Sequence, residues 1–107
     1  MAKPQDILEL EQNIVYALKN IYDPEIPVNI YDLGLIYEVD AGPSGEVTIR
    51  MTLTAPNCPM ADMLLEQVHD EAAGVAGVKD VSVVLTFDPP WDRSMLSDEA
   101  LLELGLL

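Results

Sequence analysis

The sequence predicts an α/β (α+β) fold with the element order α-β-β-α-β-α. Apolar residues recur at helical spacing near both ends and in the middle of the chain, and they alternate with polar residues between these segments. Clusters of glycine and proline separate the segments. The chain has 107 residues, half of them apolar, which is enough for one hydrophobic core but not for two. We therefore expect residues 1–107 to form a single domain, a small mixed three-stranded sheet with helices packed on it.

The first helix is predicted from Asp6 to about Ile21. Asp6 and Glu9 have the spacing of a capping box, and Pro4 precedes them. Pro24 is expected to end the helix, because the residue before a proline is disfavoured in the α conformation. One apolar stripe at steps of three and four residues would face the core: Ile7, Leu10, Ile14, Leu18 and Ile21.

The segment that follows, residues 23–34, carries more side-chain oxygen acceptors than a simple connection needs. These acceptors are Asp23, Glu25, Asn29 and Asp32. Asx turns that satisfy the local backbone explain such residues, and a hard-cation site is the alternative. The spacing matches no calcium loop, so we interpret them as turn residues. Gly34 is expected where the backbone needs a positive φ or a close approach.

Two strands are predicted from Leu35 to Ala41 and from Glu46 to Thr54. The turn residues 42–45 between them make an antiparallel hairpin. The second strand alternates Val47, Ile49, Met51 and Leu53 on one face with Glu46, Thr48, Arg50 and Thr52 on the other. A third strand is predicted from Val81 to Phe87, with Val81, Val83, Leu85 and Phe87 facing one way. A helical crossover allows it to lie parallel to a neighbouring strand. Two strand orders stay open: the second strand lies between the first and the third, or the hairpin lies at one edge of the sheet.

The second helix is predicted from Pro59 to about Ala73 and ends at Gly74 and Gly77. Its apolar side would comprise Met60, Met63, Leu64, Val68 and Ala72. We interpret Met51, Met60 and Met63 as flexible core residues, with a soft-metal site as the alternative.

A last short helix is predicted to be capped by Ser97 and to end at Gly105. Trp91 behind two prolines is interpreted as an anchor for this tail, and a ligand wall is the alternative.

Cys58, the only cysteine of the chain, lies between the second strand and the second helix. Pro59 suits the first position of a helix, which would make Cys58 the N-cap residue. A thiol there lies at the positive end of the helix dipole, so a lowered pKa and a reactive thiolate are expected. The alternative is a small buried residue in a strand-to-helix turn.

The rest of the sequence excludes several chemical roles for Cys58. The only histidine, His69, lies in the same predicted helix, about 16 Å along its axis, which is too far for a catalytic dyad. One cysteine and one histidine are too few ligands for a structural zinc site, and no phosphate-binding glycine loop is present. A metal or cluster contact shared with another chain, thiol transfer and redox sensing remain.

Composition argues against several partners. The formal net charge is -14, from 19 acidic and 5 basic residues, and such a field repels nucleic acid and anionic membranes and attracts basic proteins. A single cysteine agrees with a reducing compartment. No run of eighteen apolar residues and no basic-then-apolar leader pattern is present, so a cytoplasmic protein is expected.

Several stretches of the sequence together resemble the SufT/PaaD family of small iron–sulfur cluster assembly factors. They are Asp23-Pro24-Glu25, residues 29–36, Thr54-Ala55-Pro56-Asn57-Cys58-Pro59 and Asp88-Pro89-Pro90-Trp91, followed by Met95-Leu96-Ser97 and Leu104-Gly105. The match runs over nearly the whole chain, and the order and spacing of the motifs are more specific than any one of them. One departure is Asp92, where the family often has a small hydroxyl residue.

The resemblance implies an accessory factor, not an enzyme, that helps to assemble iron–sulfur clusters or deliver them to recipient proteins. It implies Cys58 as the functional residue, with Thr54, Asn57, Asp23 and Glu25 as its supporting site. The implied partners are the iron–sulfur assembly machinery and apo recipient proteins. A non-catalytic subunit of an aromatic-ring oxygenase complex and a plain protein-interaction module are the alternatives, although the chain lacks the cysteine-rich tail of the oxygenase-associated members.

Ligand counting limits how this chain would hold a cluster. A cluster normally takes four protein ligands, mostly thiolates, and one subunit offers only Cys58. We therefore expect no stably bound cofactor. A transient iron–sulfur cluster would have to be shared between subunits, for example across a homodimer.

Overall fold

Helices and strands follow one another in the predicted order. The structure is a computed structural model that describes residues 4–23, 26–54 and 61–106. Within these residues the helices are α1 (Pro4–Leu18), α2 (Ala61–Ala73) and α3 (Asp98–Glu103), and the strands are β1 (Ile36–Ala41), β2 (Glu46–Met51) and β3 (Asp80–Leu85). A 3-10 turn at Arg93–Met95 precedes α3. None of the described helices is long and apolar enough to cross a membrane.

The strands form a mixed sheet in the order β1-β2-β3. β1 and β2 are antiparallel, as predicted for a hairpin, and β3 lies parallel to β2. The hairpin turn is closed by the N–H of Gly42, which donates to the carbonyl of Glu46 at 2.7 Å. Of the two strand orders that the sequence leaves open, the structure has the one with β2 in the centre.

One face of the sheet carries the core. Val47, Ile49 and Met51 of β2 are buried, whereas Glu46, Thr48 and Arg50 on the other face are exposed. Helices α1 and α2 pack against the apolar face and against each other, and they bury the core residues Ile14, Leu18, Leu64, Val68 and Ala72. The opposite face remains polar, with Arg50 and Glu38 3.8 Å apart on neighbouring strands. The described elements therefore form two layers.

The predicted ends of α1 are wrong at both termini. Asp6 lies inside the helix, which the structure describes from Pro4 onward, so it is not the N-cap of a capping box. The helix ends at Leu18, before Ile21 and well before Pro24. The chain turns there because the carbonyl of Ile21 accepts from the N–H of Ile30 at 2.9 Å. This pairing ties the chain after α1 to the following turn.

Some predicted core positions are also wrong. Met63 is 56% exposed, because the buried stripe of α2 runs through Leu64 and the residues four and eight positions on, and Met63 lies about 100° away from that stripe. Met51 is buried as predicted, and Met60 lies outside the described residues. The third strand ends at Leu85 and not at Phe87, and along its predicted common face the exposure rises from 8% at Val81 to 37% at Leu85.

Candidate functional site at one edge of the sheet

The described ends of the three motif-bearing segments meet at one edge of the sheet. Because β2 and β3 are parallel and β1 is antiparallel to them, the ends of β2 and β3 and the start of β1 lie at the same edge. Two hydrogen bonds confirm this: the N–H of Thr52 donates to Leu35 at 2.8 Å, and the N–H of Thr86 donates to Met51 at 2.9 Å. We call this the carboxyl edge, defined by residues 33–35, 52–54 and 86–88. In open α/β sheets, ligand sites commonly lie beyond the carboxyl ends of the strands.

The turn that precedes β1 is built by its own polar side chains. The N–H of Asp32 donates to Oδ1 of Asn29 at 2.9 Å, and Nδ2 of Asn29 donates to Oδ2 of Asp32 at 2.7 Å. Gly34 follows with a φ of 83°. A Cβ at Gly34 would lie 2.4 Å from the carbonyl oxygen of Met95. The predicted turn role of Asn29 and Asp32 and the predicted positive φ of Gly34 are confirmed.

The tail after β3 is fastened onto this turn. Nε1 of Trp91 donates to the carbonyl of Leu33 at 2.6 Å, and the hydroxyl of Tyr37 donates to the carbonyl of Pro89 at 2.7 Å. Ser97 binds Asp32 twice, from its N–H to the carbonyl at 2.8 Å and from its hydroxyl to Oδ1 at 3.1 Å. Trp91 is therefore an anchor of the tail, as predicted.

Ser97 also caps α3, because its Oγ accepts from the N–H of Ala100 at 3.1 Å. One hydroxyl thus joins the helix cap to the carboxylate of Asp32. The predicted N-cap role of Ser97 is confirmed, and its contact with Asp32 is new.

Thr52 is a buried polar residue at the carboxyl edge. Its side chain is fully buried, and its hydroxyl has no hydrogen-bond partner among the residues that the structure describes. The alternation of β2 predicts Thr52 on the exposed polar face, and that prediction is wrong. β2 ends at Met51, and Met51, Thr52 and Leu53 are all buried, so the alternation stops where the loops converge.

The predicted site residues are distributed over two loops. Thr54 is partly exposed at the carboxyl edge. Asp23 is buried after α1, where its Oδ2 accepts from the N–H of Ile26 at 2.9 Å, which confirms its turn role. Glu25, Asn57 and Cys58 lie outside the described residues, so their roles stay predictions.

Metal ligands do not cluster in the described part of the chain. No group of three or more His, Cys, Asp or Glu side chains there is arranged to hold a metal ion. His69 is exposed on α2 beside Asp70, with 3.3 Å between Nδ1 and Oδ1. The candidate ligand for a soft metal is thus the thiol of Cys58, in the connection between Thr54 and Ala61.

Two residues were not predicted from the sequence: Thr52 at this edge, and Tyr37 of β1, which binds the tail. Thr52 follows the alternation of a half-exposed strand, so only its long-range surroundings reveal its burial. Tyr37 reaches the tail because β1 has an irregularity between Ile36 and Glu38, and a bulge re-aims a side chain. Neither feature has a local sequence signal.

Comparison with known proteins identifies the family. Residues 11–84 match the family described as iron–sulfur cluster assembly protein. An Fe–S protein maturation auxiliary factor from Porphyromonas gingivalis is 57% identical over 102 residues, covering 95% of this chain and 97% of that protein. The Fe–S protein maturation auxiliary factor SufT from Staphylococcus aureus is 36% identical over 86 residues, covering 80% and 98%.

A solved structure agrees with these matches. The crystal structure of a domain of unknown function from Bacillus anthracis superposes with a TM-score of 0.90 at 30% identity, covering 98% of this chain and 100% of that one. The predicted fold and the resemblance to SufT are confirmed. The chain belongs to the iron–sulfur cluster assembly protein family.

Proposed function

We propose that this chain is an accessory factor in the assembly of iron–sulfur clusters or their delivery to recipient proteins, without catalytic turnover of its own. The family match carries this proposal, because it runs from α1 to β3 and includes the whole connection that holds Cys58. The relative from Porphyromonas gingivalis is matched over nearly its full length. This relative is therefore matched as a whole protein.

Within this function, Cys58 is the residue that would bind the cluster. It is the one thiol of the chain, and thiolates are the usual protein ligands of iron–sulfur clusters. It follows Thr54 by four residues in sequence, and Thr54 ends the described part of the carboxyl edge. Thr54 and Asn57 would support the thiol from its own loop, and Asp23 and Glu25 from the turn after α1.

The partners and the cofactor follow from the same ligand count. One thiol per subunit holds a cluster only in transit, either across a homodimer or together with a thiolate of the docked partner. The partners would be cluster-building proteins and apo recipients in the cytoplasm. The strong negative charge of the chain (-14) favours partners with a basic docking surface.

The proposed function is tested in cells that lack the native protein. We expect the specific activity of a [4Fe–4S] dehydratase to fall in these cells and to return when the chain is supplied at native level. An enzyme without a cluster serves as the control and keeps its activity. Treatment of the extract with iron and sulfide under anaerobic conditions should restore the dehydratase, because its polypeptide is present without its cluster. An unchanged dehydratase, or a loss that iron and sulfide do not repair, would contradict the proposal.

A further inference from the structure

A groove of about 660 Å³ runs between α1 and β1. Its apolar and aromatic lining includes Leu8, Val15, Tyr16, Tyr31, Ile36 and Val39. Leu8 is 58% exposed and Tyr16 is 69% exposed, so large apolar side chains line an open groove. The groove lies along an outer strand, because β1 has a neighbouring described strand on one side only.

The outer edge of β1 offers main-chain hydrogen-bonding groups. The N–H of Gly42 bonds to Glu46 at the start of β2, whereas the N–H of Ala41 points away from β2 and donates to Oε2 of Glu11 at 3.0 Å. In an antiparallel pair, alternate residues direct both main-chain groups to the same side. The N–H and C=O of Val39 therefore point outward, like those of Ala41. Glu11 occupies the N–H of Ala41, but no described strand covers Val39.

We propose that β1 is a docking edge for an extended segment of a partner protein in which apolar residues alternate with lysine or arginine. The segment adds to the sheet beside β1 and bonds to the main chain of Val39. Addition of a strand to an open sheet edge is a common mode of peptide recognition, in which side-chain pockets supply the specificity.

The two faces of β1 specify the alternation of the segment. Val39 packs against the core on the helix side, so every second side chain of a docked strand enters the apolar groove. Glu38 and Asp40 flank Val39 in the strand and are exposed; Glu38 lies 3.8 Å from Arg50 of the polar face and also borders the groove. The remaining side chains of the docked strand therefore face carboxylates. Opposite charges directly across a strand pair are stabilising. Lys19, the positive residue among the described lining, lies over the ring of Tyr31 at 5.3 Å from its centroid.

The same charges disfavour a second copy of this chain as the occupant. Two β1 strands paired about a two-fold axis through Val39 would place Glu38 of one copy opposite Asp40 of the other. Like charges directly opposite are destabilising, and each copy carries a net charge of -14. A basic segment gains from both features.

This inference goes beyond the proposed function, because none of the described residues that line the groove belongs to the carboxyl edge. The docking proposal and the proposed function can fail independently of each other. The Cys58→Ser variant should bind the segment as the wild type does, whether or not it supports cluster maturation. The test uses a synthetic peptide with alternating valine and lysine, capped at both ends and matched to the six residues of β1. Binding is followed by NMR on the labelled full-length protein.

We expect the peptide to shift the amide signals of β1 and to slow the hydrogen exchange of the Val39 amide. A peptide of the same composition with valines and lysines in separate blocks should bind at least about tenfold more weakly, a difference near 1.4 kcal/mol. So should the alternating peptide with N-methylated backbone, which cannot complete the ladder. A valine–glutamate peptide should not bind.

Protein variants locate the contact. Tyr16→Ala in the groove should weaken peptide binding. Tyr22→Ala, similarly exposed at 59% but outside the groove, should leave peptide binding unchanged. Asp40→Lys should also weaken peptide binding, whereas Asp70→Lys on α2 is the matched control and should not. Val39→Pro removes the outward N–H, which edge strands tolerate. If that variant does not fold, the N-methylated peptide tests the other bond of the same residue pair, in which the peptide N–H donates to the carbonyl of Val39.

Three results would overturn the proposal. Equal binding of the alternating and block peptides would show that the peptide does not bind as a strand in register with β1. Equal effects of Tyr16→Ala and Tyr22→Ala on peptide affinity would show that the groove is not the binding site. Concentration-dependent shifts of the β1 amides without peptide, together with dimer formation in sedimentation, would show that the edge binds a second copy.

Discussion

Thr52 carries a buried hydroxyl without a hydrogen-bond partner among the described residues. Such a group loses its bonds to water and gains nothing in return, which costs about 1–3 kcal/mol. Its burial could not be predicted from the sequence, because the alternation of the strand places it on the exposed face and the strand ends one residue earlier. The hydroxyl lies at the edge where the proposed site is located.

We expect Thr52→Val to raise the free energy of unfolding by about 1 kcal/mol, because it keeps the shape of the side chain and removes a buried hydroxyl that has no partner among the described residues. Thr48→Val on the exposed face of the same strand is the matched control and should change stability by less than about 0.5 kcal/mol. Urea denaturation of both variants measures this difference. A clear loss of stability in Thr52→Val would mean that the hydroxyl has a partner.

Gly34 shows what the sequence does and does not reveal at one residue. A turn glycine with positive φ could be predicted from the motif around it. The close approach of Met95, 61 positions away in sequence, could not. Both properties restrict the position: φ is 83°, and a Cβ would lie 2.4 Å from the main-chain oxygen of Met95.

Gly34→Ala and Gly105→Ala separate these two effects. Both glycines have positive φ, at 83° and 72°, but a Cβ at Gly105 meets no atom of the described residues within 4 Å. We expect Gly105→Ala to cost about 1 kcal/mol of stability from backbone strain alone. Gly34→Ala should cost at least about 1–3 kcal/mol more, because it also forces the tail away. Thermal unfolding compares the two, and equal costs would contradict the contact with Met95.

At the scale of elements, the turn before β1 and the tail after β3 form one clamp. Trp91, Tyr37 and Ser97 join segments that are more than fifty residues apart in sequence. Helical stripes and strand alternation could predict where the elements lie, because those patterns are local. They could not predict that the two loops bind each other. The predicted end of α1 is wrong because the pairing of Ile21 with Ile30, nine residues on, leaves no trace in a helical pattern.

Tyr37→Phe tests the clamp with the smallest change. It removes the hydroxyl that donates to Pro89 and keeps the ring, so we expect a stability loss of about 0.5–1.5 kcal/mol. Hydrogen exchange at the indole N–H of Trp91 should become faster, whereas the amides of α2 should not change. Tyr16→Phe alters an exposed tyrosine on α1 and is the control. An unchanged indole exchange rate in Tyr37→Phe would show that the tail is held without this bond.

At the scale of the whole molecule, the ligand count decides how a cluster is handled. Each chain has one cysteine, and a cluster normally takes four protein ligands. Any cluster on the purified protein should therefore be labile, substoichiometric and dependent on dimer formation or added thiol. Anaerobic reconstitution, with iron content and visible absorbance read on separated monomer and dimer, measures this. A stable cluster on each monomer, or one that survives in Cys58→Ala, would contradict the ligand count.

The fold and the site differ in how far the sequence predicts them. The element order, the hairpin and the anchoring of Trp91 could be predicted and are confirmed. Strand order could not, because both arrangements bury the same faces. The roles of Glu25, Asn57 and Cys58 rest on motif and resemblance, and they stay predictions.

The activity of Cys58→Ser in cells that lack the native protein tests the central claim most directly. Serine is a good N-cap residue of nearly the same size, so the variant should fold and reach normal abundance. Ala76→Ser, an exposed substitution in the turn after α2, is the matched control. We predict that Ala76→Ser restores the activity of a [4Fe–4S] dehydratase and that Cys58→Ser, at equal abundance, does not. Full restoration of the dehydratase by Cys58→Ser would contradict the account.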